Sequence, residues 1–470
     1  MLARMKRLGL VVSIVSLCGA WRLVSACNSD STNSSEPTAN DAAVGSDARA
    51  ADGTVSEDGA STPIDGGSDS AFRPPRLRIA AGDYTVCAVS ADGNMGCWGS
   101  NERGQFGIGT HSAFREAHPP PATLIPNFRV TELAVNADHA CAISEGQVHC
   151  WGYNKTSQLG HTPDIELDAG DAGLCPGGEP CAKQPVAVAG TNGAKAVSVG
   201  ITFSCAALAE GVSCWGLGAY GAIGPVDGGT VAGRPNPVPL GPVDELRSGH
   251  DFSCARRSSD GSIWCWGSNN YGQLGRSGDA GPDAAAGDGE LHPIPLRVGT
   301  FSGTRGLGIG RHHACAILDD ASVVCWGYDD VDATPTGGGQ LGHDTSLDRR
   351  CISGELCNPE PLAVAGLSNV RQLALGYNHS CALREDGSVL CWGFSGRGAL
   401  GRPPTGDTSQ TVFTPKPVSG LTGVTRITAG GLVTCATTSN DEVWCWGSNS
   451  YGVLGPPGVY GPAPVRIEPL

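Results

Sequence analysis

The chain has 470 residues, of which 70 are glycine, 32 proline and 20 cysteine, and only 16% are charged. Its formal charge of −15 is opposite in sign to the basic patches that grip phosphate backbones, so nucleic acid is excluded as a partner. Abundant glycine with few charges suits a turn-rich all-β protein.

Residues 1–26 contain Arg4, Lys6 and Arg7, then an apolar run from Leu8 to Ala20, then Val24-Ser25-Ala26-Cys27. This order reads as a secretory signal peptide. The apolar run is shorter than the ~20 residues a bilayer-spanning helix needs. The Val-Ser-Ala-Cys end looks like a bacterial lipobox, which makes Cys27 the expected lipidated N-terminus. Ordinary cleavage near Ala20 or Ala26, with release, is the alternative. The protein is thus expected at a bacterial envelope or cell surface, lipid-anchored, or else secreted. Losing Arg4, Lys6, Arg7 and Arg22 with the signal takes the charge from −15 to −19. Residues 27–75 are mainly Ser, Asp, Ala, Thr and Gly. They cannot bury a core and are expected to form a disordered tether, with a root-mean-square reach of roughly 35–40 Å.

Residues 76–470 repeat. Seven cysteines are each followed, nine to eleven residues later, by Cys-Trp-Gly. The pairs are Cys87 with Cys97, Cys141 with Cys150, Cys205 with Cys214, Cys254 with Cys265, Cys315 with Cys325, Cys381 with Cys391 and Cys435 with Cys445. Inside most pairs lies an acid-Gly turn signal such as Asp92-Gly93 or Asp386-Gly387, while repeats five and seven carry Asp320-Ala321 and Asn440-Asp441. Apolar or β-branched flanks around such a turn predict a β-hairpin in every repeat. In that hairpin the two sulfurs face each other, so seven cross-strand disulfides follow in an oxidising compartment. Reduced, buried thiols are the alternative.

Five residues before the first cysteine stand Gly82, Asn136, Gly200, Gly249, Gly310, Gly376 and Gly430. Asparagine as the single exception predicts a left-handed backbone there. A further strand is marked by proline before an aliphatic residue, as in Pro185-Val186, Pro237-Val238 and Pro464-Val465, with Pro121 to Ile125 as a looser version. Proline belongs at a sheet edge or strand start. The segment at 464–467 ends the chain and only residues 74–77 precede the first repeat, so the C-terminal strand is expected to complete the first blade and close a ring. The fold class is therefore all-β, a seven-bladed β-propeller closed by the C-terminal strand.

The pattern of Gly, then His/Phe-x-Cys-Ala-Leu, Asp-Gly, Trp-Gly and Gly-Gln-Leu-Gly resembles the regulator of chromosome condensation repeat. That family forms seven-bladed propellers, and its superfamily includes a secreted bacterial β-lactamase inhibitor protein. The eukaryotic archetype exchanges nucleotide on the GTPase Ran and binds chromatin. No motif here carries those residues over, and cysteine before the repeat tryptophan departs from the eukaryotic pattern. The resemblance implies the fold and leaves the activity open.

His139, His313 and His379 occupy one repeat position, two residues before the first cysteine. A metal site there is possible in principle, but packing and hydrogen bonding within the repeat is the expected role. Two further pairs, Cys175 with Cys181 and Cys351 with Cys357, are expected as short disulfide-stapled loops, because neither has the four ligands of a zinc site. Asp164, Glu166, Asp168 and Asp171, like Asp279, Asp283, Asp288 and Glu290, lack calcium-loop spacing and read as solvated acids. No phosphate loop, dinucleotide fingerprint or nucleophile elbow is present. The expected function is therefore a non-enzymatic, envelope-anchored propeller without a cofactor. As a monomer it would bind a protein or a glycan; regulation of a particular enzyme is the alternative.

Overall fold

The computed structural model describes residues 77–163, 174–226, 230–276, 291–329, 338–352, 354–402, 411–458 and 460–469. The signal peptide, Cys27, the tether and both acidic clusters lie outside these residues. The described chain is built from seven antiparallel sheets of four consecutive strands, with a two-residue fifth strand, Arg349–Arg350, on the fifth sheet. From the central channel outward, blade one is Arg78–Ala81, Thr85–Val89, Asn94–Ser100 and Ala117–Arg129. Blade seven is Val424–Gly430, Val433–Thr438, Val443–Gly447 and Gly461–Ile467. Among the described residues no helix is long and apolar enough to cross a membrane.

Each hairpin forms where its turn signal lies. Across the second and third strands Cys87 pairs with Cys97, Cys141 with Cys150, Cys205 with Cys214 and Cys254 with Cys265. Cys315 with Cys325, Cys381 with Cys391 and Cys435 with Cys445 share this register. The departures at the turn obey the same geometry: Ala321 and Asp441 take φ of 62° and 59°. A left-handed residue is required for the reversal, and repeats five and seven supply it without glycine.

Side chains alternate along these strands, and both sheet faces are buried. In blade one, Val86, Ala88 and Trp98 pack with Val433 and Val443 of blade seven. Cys87, Val89 and Cys97 pack with Val135, Ala140 and Trp151 of blade two. Every cluster of this kind joins two blades. The tryptophans make the junction directional, each donating its Nε1–H to a carbonyl in the preceding blade: Trp151 to Gln105 (2.8 Å), Trp215 to Gln158 (3.0 Å) and Trp392 to Gln340 (2.9 Å). The hydrogen bond lets the whole indole be buried at no polar cost.

Two expectations are corrected. The C-terminal strand does not complete blade one. It pairs with Val443–Gly447 of its own blade, and blade one supplies its own outer strand, Ala117–Arg129. Each proline-marked segment returns antiparallel onto the Cys-Trp-Gly strand just before it, which is the short, local connection. The ring closes instead by the ordinary blade junction, Trp98 donating to Val453 O (2.9 Å), and by Ala122 N donating to Pro469 O (2.8 Å).

The glycines five residues before the first cysteine are not left-handed. Positive φ falls instead on the glycine of Cys-Trp-Gly, from 101° to 110° across the seven blades, at a register shift between third and fourth strands. The earlier glycines are needed for space. A Cβ on Gly376 would sit 2.1 Å from the His379 ring and 2.6 Å from Gly431 O of the next blade. At the six glycines a side chain is crowded out because seven inner strands converge on the channel, while Asn136 of blade two turns its amide to Val199 O (3.4 Å).

Candidate binding face

In a four-stranded antiparallel blade, the turn between strands one and two and the loop between strands three and four lie at the same end. The hairpin turn lies at the other. The propeller therefore has two faces of different origin. On the hairpin face the same device recurs: Ser262 Oγ donates to Asp260 (2.7 Å), Ser322 Oγ to Asp320 (2.5 Å), Ser388 Oγ to Asp386 (2.6 Å), and Ser90 to Asp92. These serine hydrogen bonds hold the carboxyls below their usual range. They close turns around a channel mouth lined by Glu132, Arg247, Gln372 and Arg426.

The opposite face differs from blade to blade. Tyr84 and Tyr451 stack with ring centroids 4.8 Å apart. Beside them Tyr377 donates its hydroxyl to Asp83, and the Arg311 guanidinium lies 5.1 Å from the Tyr377 ring. Arg397 donates to Ser450 Oγ at 3.0 Å. Asp83, Tyr84, Tyr377, Arg397 and Tyr451, together with Arg115, line a cleft of about 460 Å³. Burial pushes the Asp83 carboxyl up to about 6 despite the Tyr377 hydrogen bond, and burial beside Asp83 raises the Tyr377 hydroxyl. Further round the face, His250 and His312 rings lie 5.1 Å apart, Tyr271 lies 4.8 Å from His312, and Asp251 lies 3.6 Å from His312 Nδ1. Over blade two, Arg103 stands 4.9 Å from the Tyr153 ring.

Tyrosine and arginine dominate well-packed protein contacts, because each offers large rigid area with a polar end. Tyr84, Arg311 and Tyr377 stand in three-residue turns between first and second strands, where ordering costs little on binding. Arg115, Arg397 and Tyr451 come from the longer loops between third and fourth strands. Sequence reasoning missed this face. The signal was available: positions three and four before the first cysteine read Asp83-Tyr84, His250-Asp251, Arg311-His312 and Tyr377-Asn378. These two positions lie in the turn between the first and second strands, and no pair is repeated in another of these four blades.

The residues singled out from sequence fall elsewhere. The seven in-blade pairs are fully buried, with Cα separations of 4.0–4.1 Å between Cys87 and Cys97, Cys141 and Cys150, Cys205 and Cys214, and Cys254 and Cys265. The same separation of 4.1 Å holds between Cys315 and Cys325, Cys381 and Cys391, and Cys435 and Cys445. In the loops, Cys175 stands 5.8 Å from Cys181 and Cys351 stands 5.9 Å from Cys357. All nine pairs lie at disulfide distance. His139, His313 and His379 do not converge. Their Nε2 atoms meet Ser204 (2.9 Å), Ser380 (2.9 Å) and Thr434 (2.8 Å) of the following blade. Ser204 and Ser380 donate onward to Gln158 O and Gln340 O, so there the imidazole is the donor. Burial depresses the three histidines to about 4, 3 and 4, which keeps them neutral.

Comparison with known proteins agrees with this architecture. The model of the RCC1-like domain matches residues 71–419, and that of the regulator of chromosome condensation (RCC1) repeat matches residues 424–453. The human E3 ubiquitin-protein ligase HERC2 is 26% identical over 385 residues, covering 77% of this chain but 7% of its own length. The ultraviolet-B receptor UVR8 of Arabidopsis thaliana is 26% identical over 343 residues, 70% of this chain and 68% of the receptor. The yeast RCC1 protein Prp20, solved bound to Kap60, superposes with a TM-score of 0.62 at 20% identity, covering 83% of this chain and 85% of that one.

Proposed function

This chain belongs to the RCC1-like family of repeat propellers, and from that premise we propose that it is a protein-binding module held at a cell envelope by its N-terminus. The carrying observation is the Tyr/Arg cleft around Tyr84, Tyr377, Arg397 and Tyr451, set on the face whose residues differ between blades. Prp20, which shares the fold, was solved bound to another protein. Export follows from the sequence of residues 1–27, and the nine cysteine pairs fit an oxidising compartment, where they are disulfides.

A photo-crosslinking amino acid at Tyr84 and, separately, at Asp320 on the opposite face tests the reading. A single protein crosslinked from Tyr84 and not from Asp320 supports it; equal labelling from both sites, or none, defeats it. Globomycin sensitivity and metabolic palmitate labelling of the parent and of Cys27→Ser test the anchor.

A further inference from the structure

We propose that Asp329, His343 and Asp348 form a buried site for one divalent transition-metal cation of the zinc class in the fifth blade. Three residues after each repeat tryptophan, blades one, two, four and seven carry Asn101, Asn154, Asn269 and Asn449. In each, Oδ1 accepts from the backbone N–H of a loop residue: Phe106, Leu159, Leu274 or Leu454. The amide nitrogen donates to a second acceptor, Thr110 O in blade one and Pro456 O in blade seven. Blade five keeps the first bond, Asp329 Oδ1 accepting from Leu341 N at 3.0 Å. Its other atom, however, is a carboxylate oxygen where asparagine would present a donor.

That oxygen, Asp329 Oδ2, is fully buried and has no hydrogen-bond partner. It faces a second carboxylate and an imidazole. Asp348, whose side chain is wholly inaccessible, receives His343 Nε2 on Oδ1 at 2.7 Å, while Asp348 Oδ2 and His343 Nδ1 are also buried without partners. One donor atom from each of the three residues lies within 4.8 Å of the others. A metal at about 2.0–2.2 Å from each would draw them closer by roughly an ångström. Two buried anions need positive charge nearby. Blade two is an internal control. It has the same Gln-Leu-Gly-His run at 158–161 and a stapled loop after it, yet there Asn154 Nδ2 donates to His161 Nδ1 at 3.0 Å and the pair is neutral. An imidazole with two carboxylates suits a borderline cation better than calcium or magnesium, which prefer all-oxygen shells.

The test uses the full chain without a histidine tag, stripped with a chelator, dialysed and titrated with Zn²⁺ alone. The expected result is one zinc per chain by elemental analysis and a rise of several degrees in Tm. Asp329→Asn, which restores the residue four other blades carry, should fold with a metal-free Tm at or above the parent's while weakening zinc binding at least a hundredfold. Asp348→Asn is the second variant and should behave alike. Substoichiometric zinc in the parent, or equal uptake by parent and Asp329→Asn, overturns the site. So does the absence of any zinc response in the parent, which would mean that the two acids share a proton instead.

Discussion

The two faces of this propeller come from the same seven repeats and obey different rules. The hairpin face repeats one solution, an acid capped by a serine hydroxyl two residues away at Asp92, Asp260, Asp320 and Asp386. The loop face places Asp83-Tyr84, Arg311-His312 and Tyr377-Asn378 at equivalent turns. The serine-capped acid recurs in four blades and the buried Cys-Trp-Gly tryptophan in all seven, whereas the residues of these turns diverge. In a repeat protein, then, the packing is found by looking for sameness and the candidate binding surface by looking for difference.

The largest effect that would sharpen the contrast lies between the faces, in the blade junctions. Trp392→Ala removes a wholly buried indole and its bond to Gln340 O, and should cost about 3–5 kcal/mol in chemical denaturation. A loss under about 1 kcal/mol would break the idea that repeated residues carry the stability.

Acid should act on the same junctions. His139, His313 and His379 are held neutral by burial, with folded values of about 4, 3 and 4 against an ordinary 6.5; His313 also feels His379 and His312. Their contribution is complete above pH 6.5 and is lost as pH falls toward 4, because the unfolded chain takes up protons that the folded one refuses. Each loss is on the order of 3 kcal/mol. Asp83, raised to about 6, opposes this over the window from about 4 to 6, favouring the folded state at the acid end. His250, also depressed to about 4 by burial, adds to the histidine contribution, while Asp138 and Asp329, raised by burial, act in the sense of Asp83. His139→Phe copies the Phe203 and Phe252 of blades three and four and should make the variant less sensitive to acid than the parent in urea titrations at pH 7 and 4.5.

Replacing both Cys381 and Cys391 by serine should lower stability by about 2–3 kcal/mol, the chain-entropy scale for a closed loop of this length. Non-reducing peptide mapping of the exported parent should recover Cys381 with Cys391, Cys175 with Cys181 and Cys351 with Cys357. Quantitative alkylation of native protein would contradict both the pairing and the proposed compartment.

The smallest stability effects bear most directly on the comparison of faces. Arg397→Ala should weaken partner binding about tenfold to a hundredfold, as truncations of central arginines do, with stability changed by less than about 0.5 kcal/mol. Asp320→Asn on the other face should leave binding unaltered. Equal loss from both would erase the functional distinction between the faces.

Much of the architecture was legible because the repeat reports on itself. The spacing of Cys87 and Cys97 around Asp92-Gly93 implies a facing pair in a hairpin, and the ladder has that register. The two misreadings share a cause. Asparagine at position 136 pointed to left-handed backbone, yet the constraint was the crowding of seven inner strands, which no single repeat contains. The terminal proline strand looked like a missing piece of blade one, because sequence order cannot say which neighbour a strand pairs with.

The sequence alone determined what is local: the number of blades, the hairpins, the facing cysteines and the tryptophan that every blade repeats. Period and turn chemistry act over ten residues or fewer, within reach of the chain itself. The tertiary structure decided what arises between blades. Trp98 reaches Val453 from 355 positions away and Tyr377 reaches Asp83 from 294. Closing the ring brings such residues together, and the Tyr/Arg cleft does not exist until it does.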